Sequence, residues 1–218
     1  MKKFVLLTLN LIFMMTIQAQ TKEKAALLLI ETQNEWMHPQ GKLYKALVED
    51  QALMQQSIQQ IEKALAYARN YNLTVIHVGL SFTAGYPELG LATSGLRHAI
   101  PKAGTFQAGA FGTSFYETVQ PIEGEFIVKG RTGASAFTGS NLDVYLRNNH
   151  IEKLFLVGYA THVCVESTFR DAHERGYHAV VLSDATAAFN ATQQQYFLDE
   201  IVHHFGSQQT TEAFTSSK

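Results

Sequence analysis

The sequence predicts a parallel β-sheet covered on both faces by helices, a three-layer α/β/α fold. Three observations carry that reading. Short apolar runs of strand length recur along the chain, stretches with three-to-four spacing alternate with them, and polar or glycine-containing segments follow the runs. Strands that alternate with helices are joined by right-handed crossovers, which make the sheet parallel and bury both of its faces.

The elements follow in chain order. Ala25 to Ile30 (AALLLI) is continuously apolar and then abruptly polar, the pattern of a fully buried parallel strand. Asp50 to Tyr71 is a helix, because Leu53, Ile58, Ile61, Leu65 and Ala68 repeat at helical spacing. Leu73 to Val78 and Phe126 to Val128 are the second and third strands. Ser140-Asn141-Leu142-Asp143 reads as a capped helix start. Leu154 to Val157 is the fourth strand, met at once by Gly158. Val165 to Arg175 is a helix stopped by Gly176, His178 to Leu182 the fifth strand, and Tyr196 to Phe205 the last helix. Residues 79–124 show no clear period and, with Phe82, Tyr86, Phe106, Phe111, Phe115 and Tyr116, read as loops over the strand ends that form a candidate substrate cover.

A chain of 218 residues with 46% hydrophobic and 17% charged residues has enough material for one such domain. The formal net charge of −2 and the lack of a Lys/Arg cluster exclude a nucleic-acid footprint. The N-terminus differs in kind. Lys2 and Lys3 precede an almost wholly apolar run from Phe4 to Ile17, and Ala19 offers a small residue for cleavage. That pattern predicts a signal peptide over residues 1–19 and a single domain over 20–218, exported to the periplasm or beyond by a bacterium and free of the membrane once the peptide is removed. Cleavage would remove two lysines and leave 15 basic against 19 acidic residues. The single cysteine rules out an intramolecular disulfide.

In parallel sheets the site lies outside the carboxyl ends of the strands. Glu31 follows the first strand, Lys129 the third, and the Gly158–Cys164 loop the fourth. Each has an ordinary structural reading: a surface carboxylate, a solvated lysine, a cysteine packed as a small hydrophobe. Their meeting at one edge favours chemistry. A cysteine at a helix start is placed to ionise, and a neighbouring ammonium would help. A carboxylate can take the thiol proton and return it to a leaving amine.

These residues resemble the isochorismatase-like hydrolases, a family that includes nicotinamidases and N-carbamoylsarcosine and ureidoacrylate amidohydrolases. LLLIETQNEW (27–36) is similar to the family's opening strand. The stretch from Phe126 to Phe189, with Gly-x-x-Thr-x-x-Cys-Val at Gly158–Val165, is the more specific match. The resemblance implies a Rossmann-like fold with six parallel strands, a catalytic triad of Glu31, Lys129 and Cys164, and a cis peptide between Tyr159 and Ala160. The backbone N–H groups of Ala160 and Cys164 would then hold an oxyanion. It further implies Gln33, Trp36, Phe82, Phe137 and Tyr159 as substrate-binding residues and assembly as a homo-oligomer.

Two departures stand out. The acid is Glu where the family carries Asp, as in a branch that this chain resembles. No Asp-x-His follows the second strand, so the expectation is no metal and no cofactor, with His77 packed and not a ligand. The implied activity is hydrolysis of an amide or ureido C–N bond of a small molecule through a thioester. The alternatives are hydrolysis of a vinyl ether, and an exported binding homologue without turnover.

Overall fold

The structure, a computed structural model, describes residues 24–216. In chain order it runs β1 (Ala25–Ile30), α1 (Asn34–Met37), α2 (Lys42–Leu47), α3 (Gln51–Asn70), β2 (Thr74–Val78), α4 (Leu96–Ala103), β3 (Phe126–Ile127), α5 (Leu142–Asn148), β4 (Lys153–Tyr159), α6 (Glu166–Glu174), β5 (His178–Ala187), α7 (Ala191–Tyr196), α8 (Val202–Phe205), β6 (Ser207–Gln209) and α9 (Thr211–Ser216). All strand pairs are parallel, in the order β3-β2-β1-β4-β5-β6. The predicted six-stranded, three-layer fold is the one observed.

β1 shows why the layers form. Its side chains alternate between two faces. Leu27 and Leu29 enter one core with Met54, Ile58, Ile61 and Leu65 of α3 and Phe214 of α9. Ala26, Leu28 and Ile30 enter the other with Leu142 and Leu146 of α5 and Phe169 and Ala172 of α6. α3 is started by Asp50, whose Oδ1 accepts the Leu53 N–H at 2.9 Å.

The structure departs from the sequence pattern where polar groups are satisfied by distant partners. β5 continues past Leu182 to Ala187, since Asp184 accepts from both the N–H and the hydroxyl of Thr211, each at 2.8 Å. The last helical stretch starts earlier, at Ala191, capped by Asn190, and runs through a π turn at Phe197–Ile201. The 79–124 segment holds a helix, α4, framed by Gly95 and Gly104 at positive φ and containing no buried residue. β6 is three polar residues long and carries no period of its own.

The proposed signal peptide lies outside the described residues. No helix among the described residues is long and apolar enough to cross a membrane.

Candidate active site

The strand order reverses at the β1–β4 pair, where crevices open beyond the carboxyl ends. Ile30 of β1 pairs with Gly158 of β4. Gly158 has φ +115°, and a Cβ there would lie 1.9 Å from the Ile30 carbonyl oxygen. Only glycine allows the two strand ends to come together, which brings Glu31 and the Cys164 loop to one place.

Glu31 is 1% exposed. Its backbone is left-handed, with φ +51°, a conformation costly for a residue with a side chain and often found at functional positions. Oε2 accepts from the Trp36 indole N–H at 2.8 Å, and Oε1 from Arg131 Nη2 at 2.7 Å. α1 carries Trp36 and so sets its indole N–H against the carboxylate.

Lys129 does not join this cluster. It is exposed, and it borders a separate cavity of about 190 Å³ that excludes Cys164. The cation beside Glu31 and Cys164 is Arg131. The reason is local geometry. β3 ends at Ile127, Val128 turns inward and Lys129 outward, and Gly130 at φ +81° reverses the chain so that Arg131 points into the protein. A loop of its own wraps the guanidinium: Nε donates to the Gly133 and Ser135 carbonyls at 3.0 and 3.3 Å, and Nη2 to the Ala134 carbonyl at 2.5 Å. That loop is tied to α6, where Thr168 Oγ1 accepts the Ala136 N–H and donates to the Cys164 carbonyl. Arg131 lies within the Phe126–Phe189 stretch that carries the resemblance, and its position just after a Gly-borne turn is the signal that could have found it.

Cys164 lies in a π turn, Thr161–Val165, that leads into α6. It is buried, and its thiol is pushed well above the usual thiol range by that burial and by the Glu31 carboxylate, with Arg131 opposing. The helix start that the sequence offered to the thiolate is therefore opposed here, because burial and the Glu31 carboxylate both favour the neutral thiol. The Tyr159–Ala160 peptide is cis. The Ala160 carbonyl accepts the N–H groups of Val163, Cys164 and Val165 at 3.0, 3.1 and 3.3 Å. The Cys164 N–H is thus already engaged, and an oxyanion would have to share it.

A cavity of about 800 Å³ opens above Glu31 and Cys164. Of the five substrate-binding residues expected, Trp36 alone lines it. Gln33 clamps two loops instead, exchanging hydrogen bonds with the backbone of Leu80 and donating to the Thr113 carbonyl. Phe82 and Tyr159 belong to the core around α3, and the Tyr159 hydroxyl meets Ser57 Oγ at 2.9 Å. Phe137 stacks on Tyr177 in the opposite core. Near-total burial of these rings makes them packing residues. Leu80, Leu89, Ile100 and Phe106 of the walls come from the 79–124 segment expected to cover the site, while Val163 and Phe189 are wall residues the sequence did not single out. His77 is packed as expected, with Nε2 2.7 Å from Glu125 Oε2. Among the described residues no group of three or more His, Cys, Asp or Glu side chains could hold a metal ion.

The family model described as "Isochorismatase domain" matches residues 25–213. The chain is 33% identical over 211 residues to the ureidoacrylate amidohydrolase RutB of Stutzerimonas stutzeri, covering 91% of this chain and 84% of that one. It is 31% identical to the protein of the same name from Variovorax paradoxus, covering 88% and 81%. A crystal structure of a cysteine hydrolase from Pseudomonas syringae superposes with a TM-score of 0.76 at 25% identity, covering 88% of this chain and 91% of that one.

Proposed function

Since this chain belongs to the isochorismatase family, we propose that it hydrolyses a C–N bond other than a peptide bond, in an amide or ureido group of a small molecule, with Cys164 as nucleophile. The observation that carries the reading is the buried Glu31–Arg131–Cys164 cluster, whose acid and thiol open onto the 800 Å³ cavity. The ureidoacrylate amidohydrolases and the cysteine hydrolase support it by similarity.

The chemistry follows from the charges. Burial and Glu31 both disfavour a free thiolate, so ionisation is coupled to attack, with Glu31 the acceptor beside the sulfur. As the sulfur–carbon bond forms, the thiol proton passes to Glu31 and the carbonyl oxygen takes up negative charge. Collapse breaks the C–N bond, and Glu31 returns the proton to the departing nitrogen. Water then attacks the thioester as Glu31 takes its proton, the C–S bond breaks to release the acid (a carbamic acid where the substrate is a ureide), and Glu31 returns the proton to the sulfur, restoring the thiol. Arg131 is the positioning residue: its bond to Oε1 holds the carboxylate, and its charge favours the thiolate as it appears.

The test is ammonia release from a panel of primary amides and ureido compounds by the wild type and by Cys164→Ala, with mass spectrometry of the acid-quenched enzyme. A substrate-sized adduct on Cys164 and loss of turnover in the variant are expected. Undiminished turnover by Cys164→Ala would sink the thioester route.

Export and assembly belong to the same proposal. A mature chain starting near Gln20 is expected from mass spectrometry of the native protein, and a homo-oligomer from light scattering. An intact Met1 or a monomer, respectively, would refute them.

A further inference from the structure

The walls of the cavity say more about the substrate than the catalytic cluster does. They are formed by Leu43, Leu80, Leu89, Ile100, Phe106 and Phe189, with further aliphatic side chains between them. Two acids, Glu31 and Glu88, border the space, and Arg97, which is exposed on α4, is the one cation among the lining residues. Glu88 is turned to Thr83, whose N–H and hydroxyl it accepts at 2.9 and 2.6 Å. Ser94, Thr132 and Thr138 add hydroxyls to the lining, and one further hydroxyl is buried there without a partner. Thr105 is 1% exposed, borders the cavity, and its hydroxyl has no hydrogen-bond partner.

A small anionic ureido acid is poorly served by this space. To bring its carbonyl to Cys164 it would bury its own carboxylate against apolar walls, with Arg131 already engaged by Glu31, and an unpaired buried charge is costly. Its bulk would also leave most of the volume unused, since cavities of about 300–1,000 Å³ hold drug-sized ligands.

We infer that the substrate is a neutral primary amide, or the corresponding ureide, carrying a hydrophobic acyl or aryl group that fills the cavity. This inference rests on the hydrolase reading above and names its substrate class. The cleavable carbonyl sits over Cys164, the hydrophobic group extends between Leu80, Phe106 and Phe189 toward α4, and the Thr105 hydroxyl is free to meet one polar group along it. Each methylene buried should multiply kcat/KM roughly fourfold until the cavity is full, the equivalent of about 0.8 kcal/mol.

The experiment compares acetamide, butanamide, hexanamide, octanamide and 3-phenylpropanamide with 3-ureidopropionate. Ammonia release is measured with the wild type, and binding of the same compounds to Cys164→Ala by calorimetry. The inference expects both kcat/KM and affinity to climb along the series, with 3-ureidopropionate at least tenfold behind hexanamide. Ile100→Arg, on a helix with no buried residue, should flatten that climb. A flat or falling series, or 3-ureidopropionate as the best compound, overturns the substrate class and leaves the hydrolase reading standing. Long amides that bind Cys164→Ala but are not cleaved by the wild type support the cavity's preference and overturn the hydrolase reading. Failure of every amide to bind overturns the inference.

Discussion

Arg131 Nη2 lies 2.7 Å from Glu31 Oε1, and each of the two side chains is 1% exposed. The pair spans 100 residues of sequence and joins the end of β1 to the loop after β3. Two charges withdrawn from water in this way depend on each other, because removing either strands the other. Stability and the orientation of the acid are therefore linked at this one contact.

Arg131 and Lys129 should behave oppositely on substitution. Lys129→Ala should leave turnover and melting temperature near wild type, as an exposed lysine contributes little. Arg131→Ala should destabilise by about 3–5 kcal/mol, the cost of an uncompensated buried charge. Arg131→Lys should fold, yet lose up to about 10²-fold in kcat, since one ammonium cannot hold the carboxylate and three carbonyls in the same geometry. Thermal melts and steady-state rates on the three variants decide it. A dead Lys129→Ala with an active Arg131→Lys would restore the lysine to the site.

Glu31→Gln should lower turnover by about 10²–10⁴-fold, because the amide keeps the shape but cannot carry the proton. Glu31→Asp should retain more activity than Glu31→Gln while falling short of wild type: Trp36 and Arg131 grip both oxygens, and the shorter side chain would slacken at least one bond. Near-normal turnover by Glu31→Gln would place the proton shuttle elsewhere. Glu35 is poorly placed for that role, being buried with Oε2 accepting the Lys42 N–H at 2.9 Å.

The thiol of Cys164 should be slow to alkylate in the free enzyme. Burial and the neighbouring carboxylate push it up from its ordinary range, with Arg131 opposing, which disfavours the thiolate at neutral pH. The rate with iodoacetamide should still be climbing above pH 9, and Glu31→Gln should react faster at neutral pH by removing the negative neighbour. A rapid, pH-independent reaction between pH 6 and 8 would show a preformed thiolate and contradict this account.

Acid should destabilise the fold in two stages through His77 and Glu125. Burial lowers the His77 imidazole from its ordinary 6.5, outweighing the pull of Glu125. Its Nδ1 is buried without a partner, which favours the neutral ring donating from Nε2. A base depressed in the folded state is neutral in both states above 6.5, so the cost begins as pH falls below that value. For Glu125 burial acts upward, but bonds from Arg69, the Ile122 N–H and His77 outweigh it and hold the carboxyl down at about 2. Its stabilisation is present above the ordinary 4.5 and is lost as pH falls toward 2. Urea midpoints should decline from pH 6.5 downward, with His77→Gln removing the upper part and Glu125→Gln the lower. Midpoints that stay level from pH 7 to 4 would rule out both contributions.

The sequence by itself determined the layered parallel sheet and the edge at which chemistry could occur. Apolar runs such as Ala25–Ile30 have to be buried on both faces, and the residue that ends each run is fixed by the chain, so Glu31 and the Gly158–Cys164 loop were legible as neighbours before any coordinates. Tertiary structure decided which cation turns inward, how the thiol titrates and what the substrate meets. Lys129 and Arg131 are two residues apart, and the left-handed turn at Gly130, closed against the Gly139 carbonyl, selects between them. Composition shows that Phe82, Phe137 and Tyr159 are large rings, and only packing shows that they fill cores while Leu80, Ile100 and Phe189 line the cavity. The state of Cys164 follows the same rule, because desolvation depends on every element folded around the sulfur and the helix start that the sequence reveals is only one of them.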